Sequence, residues 1–228
     1  MAYKYRRTLK GKFLSRPNRF VAEVEINGKV ELCHVKNTGR CRELLVKGAE
    51  VILEDSGNSN RKTRYDLIAV YKGEMLINMD SQVPNKCAAE VIPCLFDGVT
   101  YVKPEYTIGE SRIDFYIETE KERILIEVKG VTLEENGVVK FPDAPTERGI
   151  KHLKELSAAV ENGYRACVLF VVQLEGAVKF MPNADTHREF AEALSGAHKK
   201  GVEIFVYGCK VTEESIEIDR DKIIPFEL

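Results

Sequence analysis

Ser111-Arg112-Ile113-Asp114-Phe115-Tyr116-Ile117, a polar break over Glu118–Glu122, and Arg123-Ile124-Leu125-Ile126-Glu127-Val128-Lys129-Gly130 are two short segments with one pattern. Both alternate with the period of a β-strand. Ile113, Phe115 and Ile117 point one way, as do Ile124, Ile126 and Val128; Asp114, Glu127 and Lys129 point the other. The break suits a hairpin, although it lacks an Asn-Gly or Asp-Gly pair. With the tip at Glu120-Lys121, Asp114 lies directly opposite Glu127, a placement that brings Cβ atoms to about 4.5–5.5 Å. Two carboxylates so close repel unless a cation lies between them or one carries a proton. One wall of the hairpin is therefore apolar core, and the other carries two acids and a lysine.

The 228 residues suit one large or two small domains. A hydrophobic content of 44% beside 31% charged residues is that of an ordinary globular chain. The basic start, Met1 to Arg7, is followed by no apolar segment of the export type, and no run approaches membrane-spanning length, so the expected location is the cytoplasm with no membrane partner. Six cysteines show neither a C-x-x-C pair nor zinc spacing, which favours reduced core thiols over a disulfide frame.

The net charge of −2 hides an asymmetry: residues 1–80 hold 16 basic against 10 acidic side chains, and residues 81–228 hold 18 against 26. Lys4, Arg6, Arg7, Lys10, Lys12, Arg16 and Arg19 precede the first acid. They make either a phosphate footprint or a solvated, frayed terminus. Arg19–Ile26, Lys29–Val35, Ala49–Glu54, Tyr65–Tyr71 and Met75–Met79 follow strand patterns, the first two joined by Asn27-Gly28. This order fits a small OB-type β-barrel over residues 1–80, a fold that often holds nucleic acid. Tyr3, Tyr5, Phe13 and Phe20 serve either base stacking or barrel core. Asn37, Thr38 and Arg40 either contact a sugar-phosphate backbone or simply shape their loop.

Ser81–Pro84 marks the expected boundary to a second domain over residues 81–228. From Asn85 the pattern is helical, with Ala88, Ala89, Ile92, Leu95 and Phe96 on one stripe and Glu90 off its centre. A strand over Thr100–Tyr106 precedes the acidic hairpin. Pro145–Gly163 predicts an amphipathic helix, Arg165–Gln173 a strand covered on both faces, and Asp185–Lys199 a further helix. Val202–Tyr207 and Glu214–Ile218 complete a mixed α/β sheet with helices on both sides. Arg148 and His152, four apart, share a helix face where they hold either substrate or the core.

Glu90 on a helix, Asp114 on one strand and Glu127-x-Lys129 on the next, followed by a helix and a buried strand, resemble the PD-(D/E)XK nuclease core. His34, Asn37-Thr38-Gly39-Arg40, Glu43-Leu44-Leu45, Ser111 to Phe115, Glu127-Val128-Lys129, and Phe141-Pro142-Asp143-Ala144 with Thr146, Arg148-Gly149 and His152 resemble the sugar fermentation stimulation protein (SfsA) family across nearly the whole chain. That resemblance implies an OB domain joined to a nuclease-like domain, DNA binding, and a role described both as regulation of sugar, especially maltose, metabolism and as DNA or RNA cleavage. It further implies Asp114 and Glu127 as ligands of Mg²⁺ or Mn²⁺, Lys129 as the group that positions water or steadies the phosphate, and Glu90 as a further acid that orients the attacking water. The superfamily's proline before the Asp is replaced by Ile113, and no Gln stands on the following helix.

The chemistry fits those residue types. Phosphodiester hydrolysis needs an activated water, neutralisation of phosphate charge and help for the leaving oxygen, and a divalent cation supplies the first two. Two other classes compete. One is a DNA-binding regulator of sugar metabolism with an idle site. The other reads the two acids as glycosidase carboxylates, which the absence of any Trp for sugar stacking opposes.

Overall fold

The computed structural model describes residues 1–37, 39–58, 60–109 and 111–228. Its first strands are β1 (Tyr3–Lys4), β2 (Thr8–Asn18), β3 (Val21–Ile26), β4 (Lys29–Val35), β5 (Glu50–Asp55), β6 (Tyr65–Lys72) and β7 (Met75–Asn78). Asn27 and Gly28 take φ of 51° and 76°, the left-handed pair that a tight β3–β4 hairpin demands. β2 pairs antiparallel with both β3 and β5, and a parallel pairing of β4 with β6 closes the barrel. Phe13, Val24, Cys33, Val51, Leu53 and Leu67 fill it, and Leu44 with Leu45, on the turn between β4 and β5, are buried in the same core.

The OB expectation holds with one change of membership. Barrel closure uses β2 through β6, and β7 is appended to β6. β2 lay within the segment whose basic residues suggested a loose terminus. Its lysines face out while Gly11 and Phe13 face in. A Cβ on Gly11 would lie 2.5 Å from Val24 Cγ1, so only glycine lets the two strands meet there.

The second unit comprises α1 (Val83–Leu95), β8 (Val99–Ile108), β9 (Ser111–Thr119), β10 (Arg123–Val131), β11 (Leu133–Glu135), β12 (Val138–Phe141), α2 (Glu147–Glu161), β13 (Arg165–Val172), β14 (Lys179–Pro182), α3 (Arg188–Lys199), β15 (Glu203–Val211) and β16 (Ser215–Ile223). The main sheet runs β1-β16-β15-β13-β10-β9-β8, and β11, β12 and β14 make a small second sheet. β10, β13 and β15 are parallel; the flanking pairs are antiparallel. β8 lies at the edge, where Pro104 removes no obligatory ladder bond. Cys167, Leu169 and Val171 pack with α1, while Ala166, Val168 and Phe170 pack with α2 and α3. Alternation along β13 thus places helices on opposite faces, the arrangement expected for a central strand.

Two expectations need correction. The buried stripe of α1 is Val83, Pro84, Cys87, Ala88, Val91 and Ile92, and Ala89 faces out, because the helix turns its Cys87–Val91 edge to the main sheet. The division at residue 80 also fails at the start of the chain. β1 pairs with β16 in the second sheet, so the chain begins there before entering the barrel. The two units are tied by buried polar groups: Asn78 Nδ2 donates to Tyr5 Oη at 2.8 Å, and Gln173 Nε2 donates to Asn78 Oδ1 and Asp80 O at 3.0 Å. Among the described residues all six cysteines are free, with only Cys94 exposed, and no helix is long and apolar enough to cross a membrane.

Candidate active site

The β9–β10 ladder keeps the expected register, pairing Glu118 with Arg123 and Phe115 with Ile126. It ends there, one step before the two acids. On the other side of β9, the β8 ladder pairs Pro104 with Phe115 and Tyr106 with Ile113, and the intervening Glu105 adopts a φ of 56°. This is a strained conformation for a side-chain-bearing strand residue. Ile113 packs with Tyr116 and Leu125 instead of following Phe115 and Ile117, so strict alternation breaks down next to Asp114.

In this gap Asp114 is held from both sides. The Val128 N–H donates to its Oδ2 at 2.8 Å, and Asn85 Nδ2, from the first turn of α1, donates to Oδ1 at 2.7 Å. Glu127, on β10, is 3% exposed. Its Oε1 accepts from both Lys129 Nζ and His152 Nδ1, whereas Oε2 is buried without a hydrogen-bond partner. His152 rides on α2, whose first turn is capped by Thr146 Oγ1 accepting from the Gly149 N–H at 3.1 Å. One turn before it, Arg148 Nε donates to His152 Nε2 at 3.3 Å. The polar wall of the hairpin is therefore partly core: Tyr116 and Leu125 on that layer are buried, and the charged groups cluster at one end.

Electrostatics divide the two acids. Burial and the negative charge of Glu127 push the Asp114 carboxyl above its ordinary value, against the opposing bonds from Val128 and Asn85 and the charge of Lys129. Burial acts on Glu127 in the same sense, but the His152 hydrogen bond and the Lys129 ammonium outweigh it and hold Glu127 below its ordinary value. The cluster is not closed. Asp114 lines an open hollow of about 560 Å³ together with Ser81, Gln82, Asn85, Ala89 and Glu105.

The structure thus brings together Asp114, Glu127 and Lys129, and it leaves Glu90 out. Asn85, Lys86 and Ala89 of α1, with Gln82 at its N-cap, face Asp114, and Glu90 lies one residue further round the helix. It is exposed and pairs with the Met1 amino group at 3.5 Å. The basic residues scatter. Lys4 is an exposed residue of β1, and Arg6 and Arg7 are exposed beside Glu54 and Asp55, with Arg7 lining a separate hollow beside Arg61 and Arg64. Arg16 spends its guanidinium on the carbonyls of Arg19, Asn37, Gly39 and Arg40, at 2.7–2.9 Å. Asn37 shapes its loop through Met79 O and the Gly39 N–H. Thr38 lies outside the described residues. Arg19 and Arg40 are exposed and, with Arg42, line a cleft of about 840 Å³ together with Gly130, Asp143 and Thr146, where the Arg40 N–H donates to Asp143 Oδ2 at 3.1 Å. Ser81 borders both this cleft and the Asp114 hollow.

Asn85 escaped the sequence reading, since one amide near a helix start carries no signal by itself. His152 and Arg148 had the spacing of a shared face, but nothing along the chain says that this face meets Glu127.

Comparison with known proteins covers both units. A family model described as sugar fermentation stimulation protein RE domain matches residues 82–215, and one described as SfsA N-terminal OB domain matches residues 14–79. The chain is 56% identical over 215 residues to the sugar fermentation stimulation protein homolog of Desulfitobacterium hafniense strain Y51, covering 94% of each. It is 55% identical over 217 residues to the homolog of Clostridium beijerinckii, covering 94% of this chain and 96% of the relative. A solved structure of Pyrococcus furiosus SfsA in complex with Ca²⁺ superimposes with a TM-score of 0.88 at 29% identity, over 99% of this chain and 98% of that one.

Proposed function

The chain belongs to the sugar fermentation stimulation protein family, and from that premise we propose that it binds nucleic acid and hydrolyses phosphodiester bonds with a divalent cation held by Asp114 and Glu127. The observation that carries this reading is the Glu127 carboxylate, with Oε1 bonded twice and Oε2 buried and unpartnered. An unsatisfied buried acceptor costs about 1–3 kcal/mol, and more when charged. A cation beside Asp114 relieves both that cost and the repulsion between the acids. Among the described residues no group of three or more acidic, imidazole or thiol side chains is arranged as a metal cage. Two carboxylates fit Mg²⁺ or Mn²⁺, which keep positions for water and substrate phosphate. The relative from Pyrococcus furiosus was solved with Ca²⁺, another hard, oxygen-seeking ion.

When bound, the cation supplies charge neutralisation at the phosphate and acidifies water. The protein's own groups do the rest. Asn85 and the Val128 N–H fix the Asp114 carboxylate; Lys129, half-buried beside Glu127, offers an ammonium to the phosphate or the attacking water. Arg19, Arg40 and Arg42 in the adjoining cleft attract the polyanion. The DNA-binding regulator with an idle site keeps some support in the Lys129 ammonium, which is already engaged by Glu127.

Purified protein should degrade DNA or RNA only with Mg²⁺ or Mn²⁺. Asp114→Ala, Glu127→Ala and Lys129→Ala should each lower the rate by at least about 100-fold, the scale of losing one electrostatic stabiliser of the transition state. Nucleic-acid binding without cleavage would leave the regulator reading, and equal cleavage by all three variants would expose a contaminating nuclease.

A further inference from the structure

Glu127 is contacted from α2 by His152, which is itself contacted by Arg148. Arg148 and His152 lie one turn apart, and the order of their contacts fixes where each proton is. A guanidinium only donates, so the bond from Arg148 Nε requires a lone pair on His152 Nε2. The ring proton then sits on Nδ1, and Nδ1 is the atom against Glu127 Oε1. The opposite tautomer would set two lone pairs against each other. His152 is 4% exposed, which leaves water little room to replace either contact.

We infer that the Arg148–His152 pair is a positioning device that holds Glu127 Oε1, so that Oε2 is presented to the cation whether or not Lys129 is in place. This rests on the metal-holding reading of Asp114 and Glu127. Two donors on one carboxylate oxygen are redundant for Glu127 alone. They are not redundant if Lys129 has other work. An ammonium that swings to the phosphate leaves Oε1, and the His152 bond then keeps the carboxylate from rotating. His152 touches neither substrate nor cation in this scheme, and Arg148 acts one step further back by selecting the tautomer. Comparable outer contacts to metal ligands change affinity about 10- to 100-fold when removed.

Calorimetric titration of metal-free protein with Mn²⁺ tests this, using wild type, His152→Asn, His152→Leu and Arg148→Met. An Asn amide places its N–H near the position of Nδ1, so His152→Asn should bind within about threefold of wild type while His152→Leu loses about 10-fold or more. In ¹⁵N NMR of the metal-free protein, His152 should be the Nδ1–H tautomer in wild type and a mixture in Arg148→Met. Should the Leu variant fail to fold, His152→Gln, whose amide extends toward Nε2 and away from Oε1, takes its place with the same expected loss. Equal affinity in wild type and the Leu or Gln variant would overturn the inference, as would an Asn variant as weak as Leu or an Nε2–H tautomer in wild type. A wild type that binds no Mn²⁺ would instead remove the metal reading, and this inference with it.

Discussion

Carboxylates with depressed and elevated acidity occur in this protein for different reasons, and the contrast shows what Asp114 lacks. Asp66, also buried, accepts from Arg61 through both oxygens at 2.5 and 3.0 Å and contacts His34 Nδ1 at 3.1 Å. Burial alone would raise it, but Arg61 and His34 hold it below its ordinary value. Its folded value therefore lies below the unfolded one, so the pairing stabilises above about pH 3.9 and is lost as pH falls through the folded value. Asp66→Asn should cost about 1.5–3 kcal/mol at neutral pH, with the gap closing on the acid limb of a denaturation series. A gap that stays constant down to acid unfolding would contradict this assignment. Asp114 has amide donors but no ion pair of its own, so burial and the like charge of Glu127 push it the other way, against a weaker pull from Lys129. Alternation along the two strands was enough to find Asp114, Glu127 and Lys129. Glu90 came from the resemblance alone, and α1 carries it one residue past the face that meets Asp114.

Strands whose pattern is overlaid with function-like charge are hard to see, and β2 shows why. Lys10 and Lys12 alternate with Gly11 and Phe13, but Gly11 supplies no hydrophobic signal at an inward position. Its reason for being there is the approach of Val24, a contact across the barrel. β1 is harder still, two residues long and paired with a strand more than 200 positions later. By contrast, β10 and α2 were legible from their own periodicity, and β13 from its continuous apolar run. The N-terminal segment is structural in a measurable way. Tyr5 is 6% exposed and its hydroxyl accepts from Asn78. Tyr5→Ala should destabilise the protein by about 3–5 kcal/mol in urea titration, as for other buried aromatic truncations. A change under about 0.5 kcal/mol, the usual size for a surface site, would restore the frayed terminus.

Joining a barrel to a mixed sheet creates a cleft that neither unit has alone, and its charge is not where the sequence concentrated it. The early run of basic residues divides among the barrel wall, the brace made by Arg16 and a distant hollow holding Arg7. Arg19 and Arg40 remain exposed on the cleft that borders the Asp114 hollow. Arg19→Glu with Arg40→Glu should weaken DNA or RNA binding and reduce the slope of log affinity against log salt by about 1 per contacting arginine. The same change at Arg6 and Arg7 should do less, and equal effects would move the footprint to the barrel's other side. The most direct test is anomalous diffraction from a crystal soaked in Mn²⁺. A single peak about 2.0–2.6 Å from an Asp114 oxygen and from Glu127 Oε2 is the predicted result. A well-soaked crystal with no peak there, or with the ion held elsewhere, would contradict it.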